Sequence, residues 1–173
     1  MASEHATGEA RLRSGLYLFA VSFLVWLALT SSLRLGELLA GLGLCLILSL
    51  WLSGQYTRLG LPPLGVKRIA FFIVYLLALF LEIVKANVDV AYRVLHPKMP
   101  IRPGVVVIQT GLRSDIAKMI LANSITLTPG TFTLDVIGDK LLIHWINVKA
   151  ETVDEATALI GERFEKYLRV IFD

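Results

Sequence analysis

The chain has 173 residues, 55% of them hydrophobic and only 18% charged, with a mean hydropathy of +0.69. Soluble domains carry about 25% charged residues, so this composition excludes an ordinary water-soluble protein and suits about one domain plus a membrane anchor. Residues 1–102 hold ten Lys/Arg against five Asp/Glu, and residues 103–173 hold seven against nine. The basic apolar half suits lipid headgroups, and the mildly acidic half speaks against nucleic acid as a partner. A single cysteine, Cys45, excludes an intramolecular disulfide or a cysteine-based metal site.

In chain order, Met1 to Ser14 read as a polar N-terminal tail (1–14, cytoplasmic), with Arg11 and Arg13 just ahead of the first apolar run. That run exceeds the core of a signal peptide, and no small-residue cleavage site separates it from the next, so it reads as an uncleaved anchor. Gly15 to Leu33 lack charge. As a helix they span about 28 Å, close to the hydrocarbon thickness of a bilayer. Arg34, Leu35 and Gly36 make a tight connection to a second apolar helix, about 36–52, whose Gly36, Ala40 and Gly43 share one face suited to close helix packing. Ser53 to Gly65, with Pro62-Pro63, reads as a loop. Arg58, Lys67 and Arg68 join Arg11 and Arg13 in flanking the hairpin, which places both of its ends in the cytoplasm.

A third helix, about 67–95, holds thirteen apolar residues from Ile69 to Leu81 and continues through Glu82, Lys85, Asp89 and Arg93. These four charges form one polar stripe, with neighbours at helical contact spacing. Two readings compete, a third span and an amphipathic helix along or leaving the membrane. The basic residues persisting through Lys98 and Arg102 favour the interfacial one and a cytoplasmic C-terminal domain. The stripe reads first as a solvated helix face and second as an ion route. His96-Pro97-Lys98-Met99-Pro100 and Pro103-Gly104 then close a membrane module of residues 15–102.

Residues 103–173 read as a small α/β domain. Val105 to Gln109 is a β-branched strand, and Ser114 caps a helix from Asp115 to about Asn123. Ser124 to Thr128 is ambiguous, and Pro129-Gly130 marks a turn. Thr131 to Ile137 alternates and, through a two-residue Gly138-Asp139 turn, pairs with Lys140 to Val148. Thr152 and Glu155 form a capping box before a last helix with an apolar stripe of Val153, Ala156, Ile160, Phe164, Tyr167, Leu168 and Ile171. The order β-α-β-β-α predicts a small sheet with helices over one face. About seventy residues make a marginal core, so the domain is expected to lean on the membrane module or on other subunits.

Catalytic patterns are missing. No phosphate-binding glycine loop or dinucleotide fingerprint occurs, and His5, His96 and His144 lack metal-ligand spacing. Asp154, Glu155, Glu162 and Glu165 interleave with Arg163, Lys166 and Arg169 as a solvated helix face. The chain is therefore expected to be no enzyme, with no catalytic residue, cofactor or metal.

One stretch is specific. Leu121-Ala122-Asn123-Ser124-Ile125-Thr126-Leu127-Thr128-Pro129-Gly130-Thr131, followed by Asp135-Val136 and Leu142-Ile143-His144-Trp145, resembles the E subunit of the multisubunit cation/proton antiporters (the Mrp/Mnh family). His96-Pro97-Lys98 and Ile101-Arg102-Pro103-Gly104 are similar to a further segment of that family, with His96 where a basic residue is common. The resemblance implies an accessory, assembly-supporting component of a multi-pass complex in the cytoplasmic membrane, whose large subunits exchange Na⁺ for H⁺. Related subunits occur in membrane-bound hydrogenase and related respiratory complexes, so an equivalent role there is the alternative. Partners are then the other subunits and the lipid bilayer. Read without the family, Asn123 caps or binds backbone near a helix end, Thr126 and Thr128 bond nearby backbone, and Pro129-Gly130 fix a turn. Either these residues close the domain structurally, or their loop docks onto a neighbouring subunit.

Overall fold

The computed structural model describes residues 2–58 and 65–173. It divides into two units, Met1–Gly65 and Val66–Asp173.

The first unit is a helical hairpin. Helix α1 spans Ala2–Thr30, so it extends through the stretch expected to be a tail, where Ala, Glu and Arg are good helix formers. It stops three residues earlier than expected because Ser31 takes a left-handed conformation (φ 47°). Helix α2 spans Leu35–Arg58. Trp26 Nε1 donates to Glu37 O at 3.0 Å and ties the two helices near the connection. The packing face of α2 differs from the expected one. Gly36 and Gly43 border open space, whereas a Cβ on Gly41 would lie 2.5 Å from the Trp26 ring. Cys45, Ser49 and Ser53 continue that face at spacings of four and are buried. Small side chains thus let the backbones approach, and the Ser49 and Ser53 hydroxyls donate to carbonyls of their own helix. The expected loop begins later than Ser53, since α2 runs on to Arg58. Residues 59–64, including Pro62-Pro63, lie outside the described residues.

The second unit combines helix α3 (Val66–Leu95) with the α/β domain. Strands β1 (Gly104–Gln109), β2 (Thr131–Ile137) and β3 (Lys140–Trp145) form an antiparallel sheet in the order β1-β3-β2. Gly138, at φ 62°, takes the left-handed position that the two-residue β2-β3 turn needs. The ladder ends at Trp145, short of Val148, and the chain continues as a bridge between Asn147 and Arg102. A register shift between Thr133 and Asp135 places one extra residue in β2.

Helix α4 spans Asp115–Leu127 and is capped by Ser114, whose hydroxyl accepts from Ala117 N. It runs four residues past its expected end because Ala117, Leu121 and Ile125 are all buried at spacings of four. The last helix comprises α5 (Val153–Ala156), a π-helical turn (Thr157–Gly161) and α6 (Glu162–Phe172). Ala156, Ile160, Phe164 and Leu168 recur every four residues and are buried. A regular helix of 3.6 residues per turn would rotate such a stripe off the core, and the wide π turn absorbs the excess. Thr152 Oγ1 accepts from Glu155 N as a capping box requires, but Glu155 Oε2 reaches Glu151 N.

Ile108, Leu141 and Ile143 of the sheet join these helices in one core, to which α3 contributes Tyr75 and Leu79. The other sheet face stays open, with Val105, Phe132 and His144 exposed.

Candidate functional site

The motif around Pro129 is knotted by threonines. Thr128, buried as the C-cap of α4, donates its hydroxyl to the carbonyls of Ser124 (2.9 Å) and Ile125 (2.7 Å). Thr131 Oγ1 reaches Ile125 O at 2.6 Å and Thr128 O at 3.0 Å. Thr126 Oγ1 donates to Ala122 O and accepts the Thr133 amide of β2 at 3.1 Å. Side chains of this kind supply partners for the helix-end carbonyls that have none in the helix itself. Pro129 and Gly130 are half-buried in the turn that follows. Gly130 has φ 91°, and a Cβ there would meet Ile146 Cγ2 at 2.9 Å. Asn123 is not at the helix end. It is exposed within α4, on the wall of an open groove of about 380 Å³ with Asp115, Lys118, Met119 and Val136. Lys118 fastens one end of this groove, donating to Gly138 O (3.1 Å) and Asp139 Oδ1 (2.7 Å). The bond to Asp139 raises the Lys118 pKa above its ordinary value. Ser124, one residue beyond Asn123, is buried and shares a hydrogen bond with the Tyr75 hydroxyl of α3.

The charged stripe of α3 is not a solvated face along its length. Glu82 accepts from Lys85 (3.0 Å) and from Arg163 of α6 (2.8 Å). Arg93 is 8% exposed and grips Asp89 through Nε (2.7 Å) and Nη2 (2.9 Å), while its Nη1 donates to Pro100 O at 2.6 Å. Glu82 and Arg93 therefore bond outside their own helix, to α6 and to the segment leading into β1. Lys85 and Asp89 lie at the exposed margin.

Sequence reasoning missed Glu165. It is 5% exposed, accepting from Thr110 Oγ1 (2.9 Å), Gly111 N (3.0 Å) and Arg169 Nη2 (2.6 Å). The signal was positional, since residue 165 is flanked on the helix surface by buried Phe164 and Leu168. The π turn likewise presents Thr157, whose Oγ1 accepts the Gln109 amide of β1 at 3.0 Å. Between them opens a cleft of about 580 Å³ lined by Gln109, Thr157, Glu162, Arg163, Lys166 and Arg169. In it Arg163 pairs with Glu82 and Arg169 with Glu165. Among the described residues no group of three or more His, Cys, Asp or Glu side chains converges as a metal site. His96 lies tilted against the Tyr92 ring, and His144 lies on the open sheet face; the side chain of His5 is outside the described residues.

Two helices long and apolar enough to cross a membrane accompany a small three-stranded domain whose charges and hydroxyls are tied to one another, the make-up of a membrane-anchored protein. A family model described as Na⁺/H⁺ ion antiporter subunit matches residues 19–171, and the chain belongs to that family. It is 32% identical over 157 residues to the E1 subunit of a Na⁺/H⁺ antiporter of Staphylococcus haemolyticus, covering 88% of this chain and 93% of that protein. Against the E subunit of a Na⁺/H⁺ antiporter of Bacillus subtilis it is 37% identical over 90 residues, 52% of this chain and 57% of the relative. A chain in the structure of the membrane-bound sulfane sulfur reductase, an archaeal respiratory membrane complex, superposes with a TM-score of 0.77 at 50% identity. That likeness covers 94% of this chain and 99% of the other.

Proposed function

We propose that this chain is an accessory, non-catalytic membrane subunit of a multisubunit cation/proton antiporter, supporting assembly while larger subunits exchange Na⁺ for H⁺. The observation that carries this reading is the family match, which spans both the apolar helices and the α/β domain. The test is purification of the tagged chain in mild detergent with mass spectrometry of what accompanies it. Large antiporter-like subunits are expected, and a lone 19.1 kDa protein would refute the reading.

A second reading is favoured by the 50% identity to a chain of an archaeal respiratory complex. Here the same subunit serves an assembly that couples ion movement to electron transfer. Redox subunits in the same purification would select it.

Within either assembly, residues 15–102 serve as the membrane module and 103–173 as the domain on the cytoplasmic side, supported by the basic residues Arg58, Lys67, Arg68, Lys98 and Arg102. Protease accessibility in right-side-out and inverted vesicles reads that orientation. Asn123 acts as the subunit contact, because it is exposed beside Met119. Thr126, Thr128, Pro129 and Gly130 act by shaping the turn, and Glu82 and Arg93, paired with Lys85 and Asp89, by tying α3 to α6 and to the segment leading into β1. Asn123→Ala should release co-purifying subunits with thermal stability unchanged. Retention of all partners would remove Asn123 from the contact.

A further inference from the structure

Helix α3 is long and apolar enough to cross a bilayer, yet the domain accompanies it through its central turns. Tyr75 and Leu79 join the domain core, Tyr75 bonds Ser124, and Glu82 bonds Arg163. Val90 lies against Gly130, and Arg93 bonds Pro100. From Tyr75 to Val90 this contact line extends about 22 Å at 1.5 Å per residue, most of the hydrocarbon thickness of about 30 Å. A crossing α3 would carry the domain into the bilayer. The exposed Glu162, Lys166 and Arg169 of α6 would then sit beside Glu82 in hydrocarbon, where charges are costly.

The opposite side of α3 is equally one-sided. At 100° per residue, Ile73, Leu77, Phe80, Val84, Val88 and Leu95 share the half turned from the domain, and all are exposed. The charges of α3 lie on the domain half or on its margin, where Lys67 and Lys85 stand. Asn87, the polar residue on the outer half, bonds Ile83 O of its own helix at 2.8 Å.

We infer that α3 lies in the plane of the membrane, its outer face sunk into the headgroup–acyl boundary and the domain seated on its other face. The occupant of that face is lipid. The face is uncharged along the whole helix, marginal lysines reach headgroup level as such residues do in interfacial helices, and the chain enters α3 shortly after the apolar hairpin. The inference rests on the membrane-subunit reading above.

The test is nitroxide labelling of the full chain in phosphatidylcholine/phosphatidylglycerol vesicles, in a Cys45→Ser background. Ile73→Cys, Leu77→Cys, Val84→Cys and Val88→Cys probe the face, and Ile47→Cys in α2, also exposed, is the control. Relative accessibility to oxygen and to a nickel chelate gives depth. The expected result is four similar depths, about 5–10 Å below the headgroups, with Ile47→Cys deeper. A progression of about 22 Å from Ile73→Cys to Val88→Cys would make α3 a span and overturn the inference. Low accessibility to both reagents would replace lipid by protein and also overturn it. Aqueous signals from α3 with a lipid-buried Ile47→Cys would sink the in-plane helix alone. Aqueous signals at every site would sink the membrane reading itself.

Discussion

Removing the Glu165 carboxylate should unfasten the loop after β1 from α6. In Glu165→Ala, the Thr110 hydroxyl, 4% exposed, loses the acceptor 2.9 Å away. A buried donor left unpaired costs about 1–3 kcal/mol. The Gly111 amide loses a charge-assisted bond worth about 1.5 kcal/mol, the low end because Gly111 is exposed and water can substitute. Arg169 adds well under 1 kcal/mol, its side chain being 61% exposed. The loss totals about 3 kcal/mol, and Glu165→Gln, which keeps one acceptor oxygen, should lose about half. At about 2–4 °C per kcal/mol, Tm should fall by about 6–12 °C for Ala and about 3–6 °C for Gln. Near-UV circular dichroism of the detergent-solubilised full chain, melted at one scan rate, reads both. Melts of both variants within about 2 °C of the parent would show that the three bonds add nothing net, refuting the argument.

Gly41→Val forces a side chain into the Trp26 ring and should cost about 1–3 kcal/mol, part of it regained in the Gly41→Val/Trp26→Ala double variant. Thermal melts of the three chains give the coupling. Gly130→Ala meets both a positive φ and Ile146, so denaturant unfolding should show a loss of about 2 kcal/mol. Thr126→Val removes the acceptor of the Thr133 amide, and hydrogen exchange at Thr133 should accelerate about five-fold with little change elsewhere.

Where local chemistry decides, the sequence was readable. β-branched runs, the Gly138-Asp139 turn and the Ser114 and Thr152 caps specify the sheet and helix starts, and β2 has the expected limits. Where tertiary contacts decide, it was not. Ile125 and Thr126 favour strand by propensity, yet Ile125 is fully buried on the α4 stripe and Thr126 bonds across to β2. Gly36, Ala40 and Gly43 suggest one helix-packing face, but Cys45, Ser49 and Ser53 are small enough to extend the Gly41 face instead. Regular alternation of charge on the last helix suggested solvent for Glu165, because the loop it binds comes from residues 110–111, far away in sequence. For the same reason the stripe on α3 read as solvated, since Arg163 lies 81 residues beyond Glu82. Of the expected site, the threonines and Gly130 carry a readable turn chemistry. Asn123 does not cap anything, because α4 continues past it.

The two outer strands of the sheet each have one edge amide taken by a threonine from a neighbouring helix. Thr126 occupies an outward amide of β2 and Thr157 an outward amide of β1. A strand of another protein, or of a second copy, would have to break these bonds before it could zip on. An edge amide that already has a partner is one fewer template for a foreign strand, so each threonine blunts the edge it caps.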